Sequence, residues 1–261
     1  MHTVTARQLG LDLSYLAVEI PTSDLVAQTL EALHALGFGG LNVTIPYKEE
    51  AARHASMLSG VAELIGAVNV LKRTEEGWDG YNTDYSAVFD AIRARVVGNG
   101  VKALVLGAGG SARAVVAALI DLGAREIAIA NRKTSRGLEL VNLFKSSPGV
   151  KLMALPLESA KEVADESDVV VNTIPAGLVA GAELPLDSDD IREGALLVDL
   201  VYRPEGSPMS RLASSRGLEL IDGIEILARQ AAHSFRLWTG IEVDHRSMEA
   251  IARFAIKRWA V

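Results

Sequence analysis

The chain has 261 residues, 49% of them hydrophobic and 23% charged, which is enough for two domains of ordinary size with separate cores. A formal net charge of -7, with no Lys/Arg cluster among aromatic residues, argues against a nucleic-acid partner. No stretch approaches the roughly 18 apolar residues of a membrane span, and residues 1–20 lack the pattern of a signal peptide. The absence of cysteine excludes disulfides. A cytoplasmic protein without membrane contact is therefore expected.

Apolar runs typical of strands alternate with helical patterns in the first third of the chain. This alternation predicts βαβ units and a mixed, mainly parallel sheet. The predicted strands are Leu13–Ile20, Gly40–Ile45, Ala67–Arg73 and Trp78–Asn82. The predicted helices are Ser23–Leu36 and a stretch that begins at Lys48.

Polar residues lie at the ends of these predicted strands, where open α/β sheets present side chains to a ligand. The motifs are Asn42-Val43-Thr44-Ile45-Pro46-Tyr47-Lys48, Ala67-Val68-Asn69 and Asn82-Thr83-Asp84. A lysine that faces a carboxylate in such a place can exchange protons with a hydroxyl or a carbonyl group. Lys48 and Asp84 are therefore the candidate catalytic dyad.

A second series of alternating elements begins at Lys102 and predicts a Rossmann-like parallel sheet. Its predicted strands are Lys102–Leu106, Glu126–Ala130, Val169–Val171 and Leu196–Leu200, and its predicted helices are Ser111–Leu122 and Thr134–Phe144. The turn residues Val97–Gly100 separate the two series. After Gly223 the chain becomes helical again.

The first strand of this series leads directly into Gly107-Ala108-Gly109-Gly110-Ser111-Ala112, a G-x-G-x-x-A pattern that opens a helix and could face a pyrophosphate. The pattern alone is equally compatible with a tight turn, and its position between strand and helix favours the nucleotide site. About 20 residues later, where an NAD enzyme carries a carboxylate, the chain has Asn131, Arg132, Lys133 and Arg136. A guanidinium suits a ribose 2′-phosphate, which predicts NADP over NAD. A solvated basic loop is the alternative.

These motifs resemble those of the shikimate dehydrogenase family, including its quinate/shikimate branch. The matching segments follow the family's order over nearly the whole chain: Asn42–Glu50, Gly66–Asn69, Asn82–Asp84, Gly107–Ala112, Asn131-Arg132, Asp199–Pro204, Asp222-Gly223, Gln230–Ala232 and Trp238–Gly240. In that family NADPH reduces the 3-keto group of 3-dehydroshikimate to give shikimate. The resemblance implies an NADP-dependent oxidoreductase of the chorismate pathway.

The resemblance also implies roles for individual residues, with Lys48 and Asp84 as the catalytic pair. It implies that substrate hydroxyls or the ring are held by Thr44, Asn69, Tyr202 and Gln230. It implies cofactor contacts from Gly107–Ala112, Asn131, Arg132, Lys133, Arg136, Thr173, Leu200 and Gly223.

The chemistry of the candidate residues fits these roles. Hydride delivery to a ketone builds negative charge on oxygen, so the Lys48 ammonium would stabilise the transition state and supply the proton. Asp84 is expected to orient Lys48 and a substrate hydroxyl. Amides and hydroxyls such as Asn69 and Thr44 can both donate and accept, as polyol recognition requires. Each alone could equally be a strand cap or a satisfied core group.

One departure from the family concerns the N-terminal region. Family members carry a first strand and a Ser-x-Ser-Pro motif, whose serines bind the substrate carboxylate, shortly before a histidine that resembles His2. Two hypotheses follow: the natural start lies upstream of Met1, or the chain is a short paralogue. Because this chain lacks those serines, a catalytically silent NADP-binding protein is kept as an alternative. A quinate or aminoshikimate dehydrogenase is kept as another, since it differs by one ring substituent that the sequence does not resolve.

We expect two α/β domains. Residues 1–84 plus 224–261 are predicted to bind the substrate, and residues 85–223 are predicted to form the Rossmann-like NADP domain. The five histidines show no metal-ligand spacing, so no metal is expected. The predicted partners are shikimate or 3-dehydroshikimate, in a monomer or homodimer.

Overall fold

The computed structural model describes residues 1–96, 100–179, 183–203 and 205–259. Pro204 and three residues of the predicted linker turn, Val97–Asn99, lie outside this part. The chain divides into two compact units. Unit 1 consists of Met1–Ser86 and Ala228–Ala252, and unit 2 consists of Ala87–Leu227 and Arg253–Val261.

Strands and helices alternate along most of the described chain. The strands are β1 Gly40–Asn42, β2 Met57–Leu58, β3 Val70–Arg73, β4 Trp78–Tyr81, β5 Lys102–Leu106, β6 Glu126–Asn131, β7 Lys151–Pro156, β8 Val169–Asn172, β9 Leu196–Asp199 and β10 Leu220–Ile221. The α-helices are α1 His2–Gln8, α2 Val26–Ala35, α3 Lys48–Arg53, α4 Gly60–Ile65, α5 Thr83–Arg93, α6 Gly110–Asp121, α7 Thr134–Leu143, α8 Lys161–Ala164, α9 Pro208–Arg216, α10 Gly223–Thr239 and α11 His245–Trp259. Short 3-10 helices lie at Ser23–Leu25, Leu157–Ala160 and Ser188–Asp190.

Unit 1 is built on a four-stranded sheet of order β1-β3-β4-β2. The sheet is mixed, as predicted, but β3 pairs antiparallel with both β1 and β4, and only β2–β4 is parallel. The mainly parallel arrangement predicted for it is therefore corrected. The physical reason is the tight turn between β3 and β4, closed by the Thr74 N–H to Gly77 O bond at 2.9 Å. So short a connection joins only antiparallel strands.

The predicted strand Leu13–Ile20 is wrong, because residues 11–20 have no strand assignment in the described chain. An alternating pattern makes a strand only when a neighbour accepts its backbone hydrogen bonds, and β1 is paired with β3 alone among the described strands. Side chains hold this extended segment instead. The Tyr15 hydroxyl donates to Asn42 Oδ1 at 2.9 Å, and Tyr47 donates to Ile20 O at 2.7 Å.

Two apolar clusters stabilise unit 1. One lies between the sheet and α2 and includes Leu30, Leu71 and Trp78. The other surrounds Phe235 on α10, which is fully buried. Trp238 on the same helix donates its indole N–H to Leu71 O, and a Cβ on Gly40 would lie 2.1 Å from that indole ring. Glycine at position 40 is therefore required by the tryptophan that packs on β1.

Unit 2 is a parallel six-stranded sheet of order β10-β9-β8-β5-β6-β7. Read from the β7 edge and numbered within the unit, this is 3-2-1-4-5-6, the doubly wound dinucleotide-binding order. The predicted Rossmann-like domain is thus confirmed, and β7 and β10 are strands that the sequence patterns missed. Chain order reverses between β5 and β8, so the crevice at their carboxyl ends is where a ligand is expected.

None of the helices in the described residues has the length and apolar character to cross a membrane.

Candidate active site

Lys48 and Asp84 meet in unit 1. Lys48 is the first residue of α3, and Asp84 lies in the first turn of α5. The ammonium Nζ donates to Asp84 Oδ2 at 2.5 Å, and the two side chains are only 13% and 14% exposed. The structure thus brings the two predicted catalytic residues together as a largely buried ion pair.

The side-chain amide of Asn69 joins this pair to its surroundings. Its Oδ1 accepts the Thr83 main-chain N–H at 2.7 Å, and its Nδ2 donates to Asp84 Oδ1 at 2.8 Å. A main-chain N–H can only donate, so this contact decides which end of the amide is oxygen. Asn69 is therefore fixed with its NH₂ group toward Asp84.

Both carboxylate oxygens of Asp84 consequently face donors, Oδ1 the Asn69 amide and Oδ2 the Lys48 ammonium. A proton on Asp84 would point at one of these donors and replace an acceptor with a third donor. Both oxygens of Asp84 therefore act as hydrogen-bond acceptors in this arrangement. Lys48 is left as the member of the pair that can carry a transferable proton.

Gln230, on α10, completes the cluster. Its Oε1 accepts from Asn69 Nδ2 at 3.2 Å and lies 3.4 Å from the Thr83 hydroxyl oxygen. Because the oxygen is used in this way, the amide nitrogen is the end of Gln230 that can face a ligand. The cluster therefore offers two donors, the Gln230 amide and the Lys48 ammonium.

Two predicted substrate residues lie apart from these hydrogen bonds. Thr44 is exposed in the turn between β1 and α3, and its side chain makes no hydrogen bond to the cluster within the described residues. Tyr202 belongs to unit 2 and is 46% exposed.

The glycine motif of unit 2 lies at the reversal of strand order. Gly107 follows β5 with φ +108, and a Cβ there would come within 2.4 Å of Thr173 Oγ1, which follows β8. A side chain at this position would be strained and would clash. The glycine thus lets the backbone pass close to Thr173.

A cavity of about 220 Å³ opens beside this turn. It is lined by six predicted cofactor residues: Gly107, Ala108, Gly109, Asn131, Arg132 and Thr173. Leu157, Ile174, Pro175 and Glu183 also line it and were not predicted. Gly110, Ser111 and Ala112 form the first turn of the 12-residue helix α6 next to the motif, so its N-terminal amides are available to an anion.

The basic residues after β6 are free to meet such an anion. Arg132, Lys133 and Arg136 are all exposed, and none forms an ion pair within the part of the chain that is described. Asn131 differs, because its Nδ2 donates to Lys133 O at 2.9 Å and shapes the turn. These residues and the cavity fit a dinucleotide that carries an extra phosphate.

The remaining predicted cofactor residues adjoin a buried carboxylate. Asp199, at the end of β9, is 1% exposed and accepts hydrogen bonds from Asn172 Nδ2, the Val201 N–H and the Ser207 hydroxyl. These bonds fix the segment that contains Leu200. Gly223 packs on the same segment, since a Cβ there would lie 2.5 Å from Val201 O.

Three family models cover most of the chain. Residues 1–71 match the shikimate dehydrogenase substrate binding domain, residues 92–200 match shikimate/quinate 5-dehydrogenase, and residues 223–253 match the shikimate 5′-dehydrogenase C-terminal domain. The shikimate dehydrogenase (NADP(+)) of Anaeromyxobacter dehalogenans is 39% identical over 241 residues, which is 92% of this chain and 85% of that relative. The chain belongs to the shikimate dehydrogenase family.

Solved structures agree with this membership. The shikimate 5-dehydrogenase of Thermus thermophilus, in complex with NADP(H) and shikimate, is 37% identical with a TM-score of 0.85, over 97% of this chain and 92% of that one. The quinate dehydrogenase of Corynebacterium glutamicum, in complex with NAD, is 27% identical with a TM-score of 0.87, over 97% and 92%. The predicted family and two-domain α/β fold are confirmed.

The sequence patterns predict no role for several polar residues that form hydrogen bonds in the unit 1 cluster. Two of them, Thr83 and Asn42, lie inside the predicted motifs. Ser234 was not singled out at all, although it lies one helical turn after Gln230 and could have been found by following that face of α10.

The buried Asp199 carboxyl gives a pH-dependent prediction. Burial raises its pKa above the ordinary 3.8, with the charge of Asp222 acting in the same direction, while the bonds from Ser207, Val201 and Asn172 oppose the rise. Stability from this group is thus complete below the ordinary pKa and is lost as pH rises through the raised one. The melting temperature of the wild type minus that of Asp199→Asn should fall as the pH rises above the ordinary pKa of 3.8. An exposed control, Asp165→Asn, should show no such trend, and a difference that grows with pH would contradict the assignment.

Proposed function

We propose that this family member catalyses the reversible NADPH-dependent reduction of 3-dehydroshikimate to shikimate. The observation that carries the proposal is the buried Lys48–Asp84 pair, held by Asn69 beside the Gln230 amide. Its relatives are named as NADP-dependent shikimate dehydrogenases. When bound, NADPH supplies the hydride.

Lys48 is the proton donor in this proposal. Negative charge develops on the substrate oxygen during reduction, and an ammonium beside that oxygen stabilises the transition state before giving up its proton. In the reverse direction, neutral Lys48 takes the proton from the substrate hydroxyl. Asp84, which remains ionised, holds Lys48 in place and compensates its charge.

Substrate binding is assigned to residues 1–84 with 224–261, where Asn69 and Gln230 would position ring hydroxyls through their amides. Thr44 and Tyr202 are proposed as further substrate contacts. Both side chains carry a hydroxyl group, which can donate to and accept from a polyol.

Cofactor binding is assigned to residues 85–223. The α6 N-terminus and the motif Gly107–Ala112 would bind the pyrophosphate, and Arg132 with Lys133 and Arg136 would bind the ribose 2′-phosphate. Asn131 shapes that turn, while Thr173, Leu200 and Gly223 are proposed to adjoin the rest of the dinucleotide. A cytoplasmic monomer or homodimer is proposed as the working form.

The test is the initial rate of nicotinamide absorbance change with shikimate and NADP, set beside quinate and NAD. Turnover that is fastest with the shikimate and NADP pair supports the proposal. Faster turnover with quinate or with NAD would assign the chain to another branch. NADP binding without turnover of either polyol would identify a silent nucleotide-binding protein.

Replacing Lys48 by Ala should lower kcat by about 10²-fold or more, because general acid catalysis typically contributes that much. The matched control is Lys72→Ala, which removes a β3 lysine in the same unit and should keep the wild-type rate. An unchanged kcat in Lys48→Ala would remove Lys48 from the mechanism.

Replacing Arg132 by Ala should raise the Kd for NADP roughly tenfold or more, since a charge-assisted hydrogen bond is lost. The Kd for NAD should change little. Arg125→Ala is the matched control, because Arg125 is an exposed arginine that precedes β6 whereas Arg132 follows it. Equal losses of NADP and NAD affinity would contradict a 2′-phosphate contact.

Replacing Gln230 by Glu tests which end of the amide serves the substrate. The exchange keeps the shape but turns the donor into an acceptor and adds a negative charge near Asp84. We expect kcat/KM for shikimate to fall about tenfold or more, which corresponds to at least one lost hydrogen bond. The same exchange at the exposed Gln28 should have no effect. A retained kcat/KM in Gln230→Glu would show that the amide nitrogen is not used.

A further inference from the structure

Ser234 is a fully buried polar residue of α10 with no role in the proposed chemistry. It lies one turn after Gln230, and its hydroxyl donates to the Gln230 main-chain oxygen at 2.8 Å. A serine hydroxyl has one proton and can accept twice. With its proton used inside the helix, its oxygen is an acceptor that faces the unit 1 cluster.

Two side chains from other elements use this acceptor. Asn42 Nδ2, at the end of β1, lies 3.2 Å from Ser234 Oγ, and the Thr83 hydroxyl, at the start of α5, lies 3.3 Å from it. Because the Ser234 proton is already committed, Thr83 acts as the donor in the second contact. Ser234 Oγ is thus the point where β1, α5 and α10 are joined by hydrogen bonds.

The orientation of Asn42 is fixed independently of Ser234. Its Nδ2 also donates to the Asn69 main-chain oxygen at 3.3 Å, and a carbonyl oxygen can only accept. Its Oδ1 accepts the Tyr15 hydroxyl at 2.9 Å. The amide nitrogen of Asn42 is therefore directed at Ser234 by the backbone, and the serine oxygen satisfies it in a partly buried place.

Thr83 connects Ser234 to Asn69 and Gln230, the two residues whose amides are proposed to bind the substrate. Its hydroxyl oxygen accepts from Asn69 Nδ2 at 3.1 Å and lies 3.4 Å from Gln230 Oε1. When the Thr83 proton is given to Ser234, the threonine oxygen is turned toward the Asn69 NH₂ group. The two protons of that NH₂ group lie among three acceptors, Asp84 Oδ1, Thr83 Oγ1 and Gln230 Oε1, so Gln230 Oε1 shares a proton with a neighbouring acceptor while the Gln230 nitrogen stays outward.

We propose that Ser234 is a positioning residue, whose buried hydroxyl fixes the rotamer of Thr83 and so places the Thr83 oxygen against the amides of Asn69 and Gln230 that bind the substrate. This inference rests on the proposed function of Gln230 and Asn69. Ser234 does not contact the Lys48–Asp84 pair by any hydrogen bond of the described residues. Its loss should therefore weaken substrate binding and spare the proton-transfer step.

The experiment is the kinetics of Ser234→Ala. KM for shikimate should rise about tenfold, the cost of roughly one unmade hydrogen bond, while kcat and KM for NADP stay near wild-type values. The matched control is Ser167→Ala, because Ser167 is also buried and its hydroxyl makes the same bond to the carbonyl four residues earlier, Val163 O. That variant should keep wild-type kinetics.

A second variant separates positioning from general loss of packing. Thr83→Val keeps the side-chain volume and removes the partner hydroxyl, so it also serves if Ser234→Ala does not fold. If both residues act through one contact, the double variant should raise KM by less than the product of the two single effects. A multiplicative result would overturn the inference, as would an unchanged KM in Ser234→Ala. An equal loss in kcat and in the apparent affinities for shikimate and NADP would overturn it as well.

A readout without turnover keeps the inference distinct from the proposed function. The side-chain NH₂ resonances of Gln230 and Asn69 should move in Ser234→Ala and remain in place in Ser167→Ala. Absence of shikimate turnover in the wild type would sink the proposed function, and the amide signals would still decide on Ser234. Unmoved Gln230 and Asn69 signals would refute the positioning role.

Discussion

The bond from the Thr83 main-chain N–H to Asn69 Oδ1 is the constraint on which unit 1 depends. A backbone amide cannot accept, so it fixes the Asn69 side chain with its NH₂ group toward Asp84. That orientation makes Asp84 an acceptor at both oxygens, leaves the proton with Lys48, and turns the Gln230 nitrogen outward. One backbone donor, which cannot act as an acceptor, thus determines the hydrogen-bonding roles of Asp84, Lys48 and Gln230. The cost of leaving any of these buried groups unpaired explains why they occur together.

In unit 2, the position of the proposed cofactor site is determined by the strand topology. Strand order reverses between β5 and β8, and the loops that follow these two strands carry Gly107 and Thr173. Close passage of the two loops requires a glycine with positive φ, and the next residues open the helix α6. Exposed cations after β6 add positive charge at the same end of the sheet. Few specialised side chains are needed to bind a phosphate at such a place. The strand order forms the crevice, and the backbone amides at the helix N-terminus provide the hydrogen-bond donors.

Periodic patterns predicted several of the elements that find partners within the described chain, although they missed β2, β7 and β10. β5 has the predicted limits, Lys102–Leu106, and the glycine motif after it lies where expected. The extended segment Leu13–Ile20 shows the limit of such patterns, because alternation describes which face is apolar and cannot say whether a neighbouring strand exists. Ser234 shows another limit. The role of this buried serine depends on its hydrogen-bond partners Asn42 and Thr83, which are 192 and 151 residues away in sequence.

Chemical rescue of Lys48→Ala tests the central claim, that Lys48 carries the proton and Asp84 stays an ionised acceptor. The rate of shikimate oxidation would be measured against methylamine concentration, with Asp84→Ala assayed against formate in parallel. We predict that the lysine variant recovers turnover as methylamine is added, because the free amine replaces the missing group, while methylamine does nothing for Asp84→Ala. Recovery of Asp84→Ala by formate, with no response of Lys48→Ala to the amine, would assign the proton to Asp84 and contradict the account.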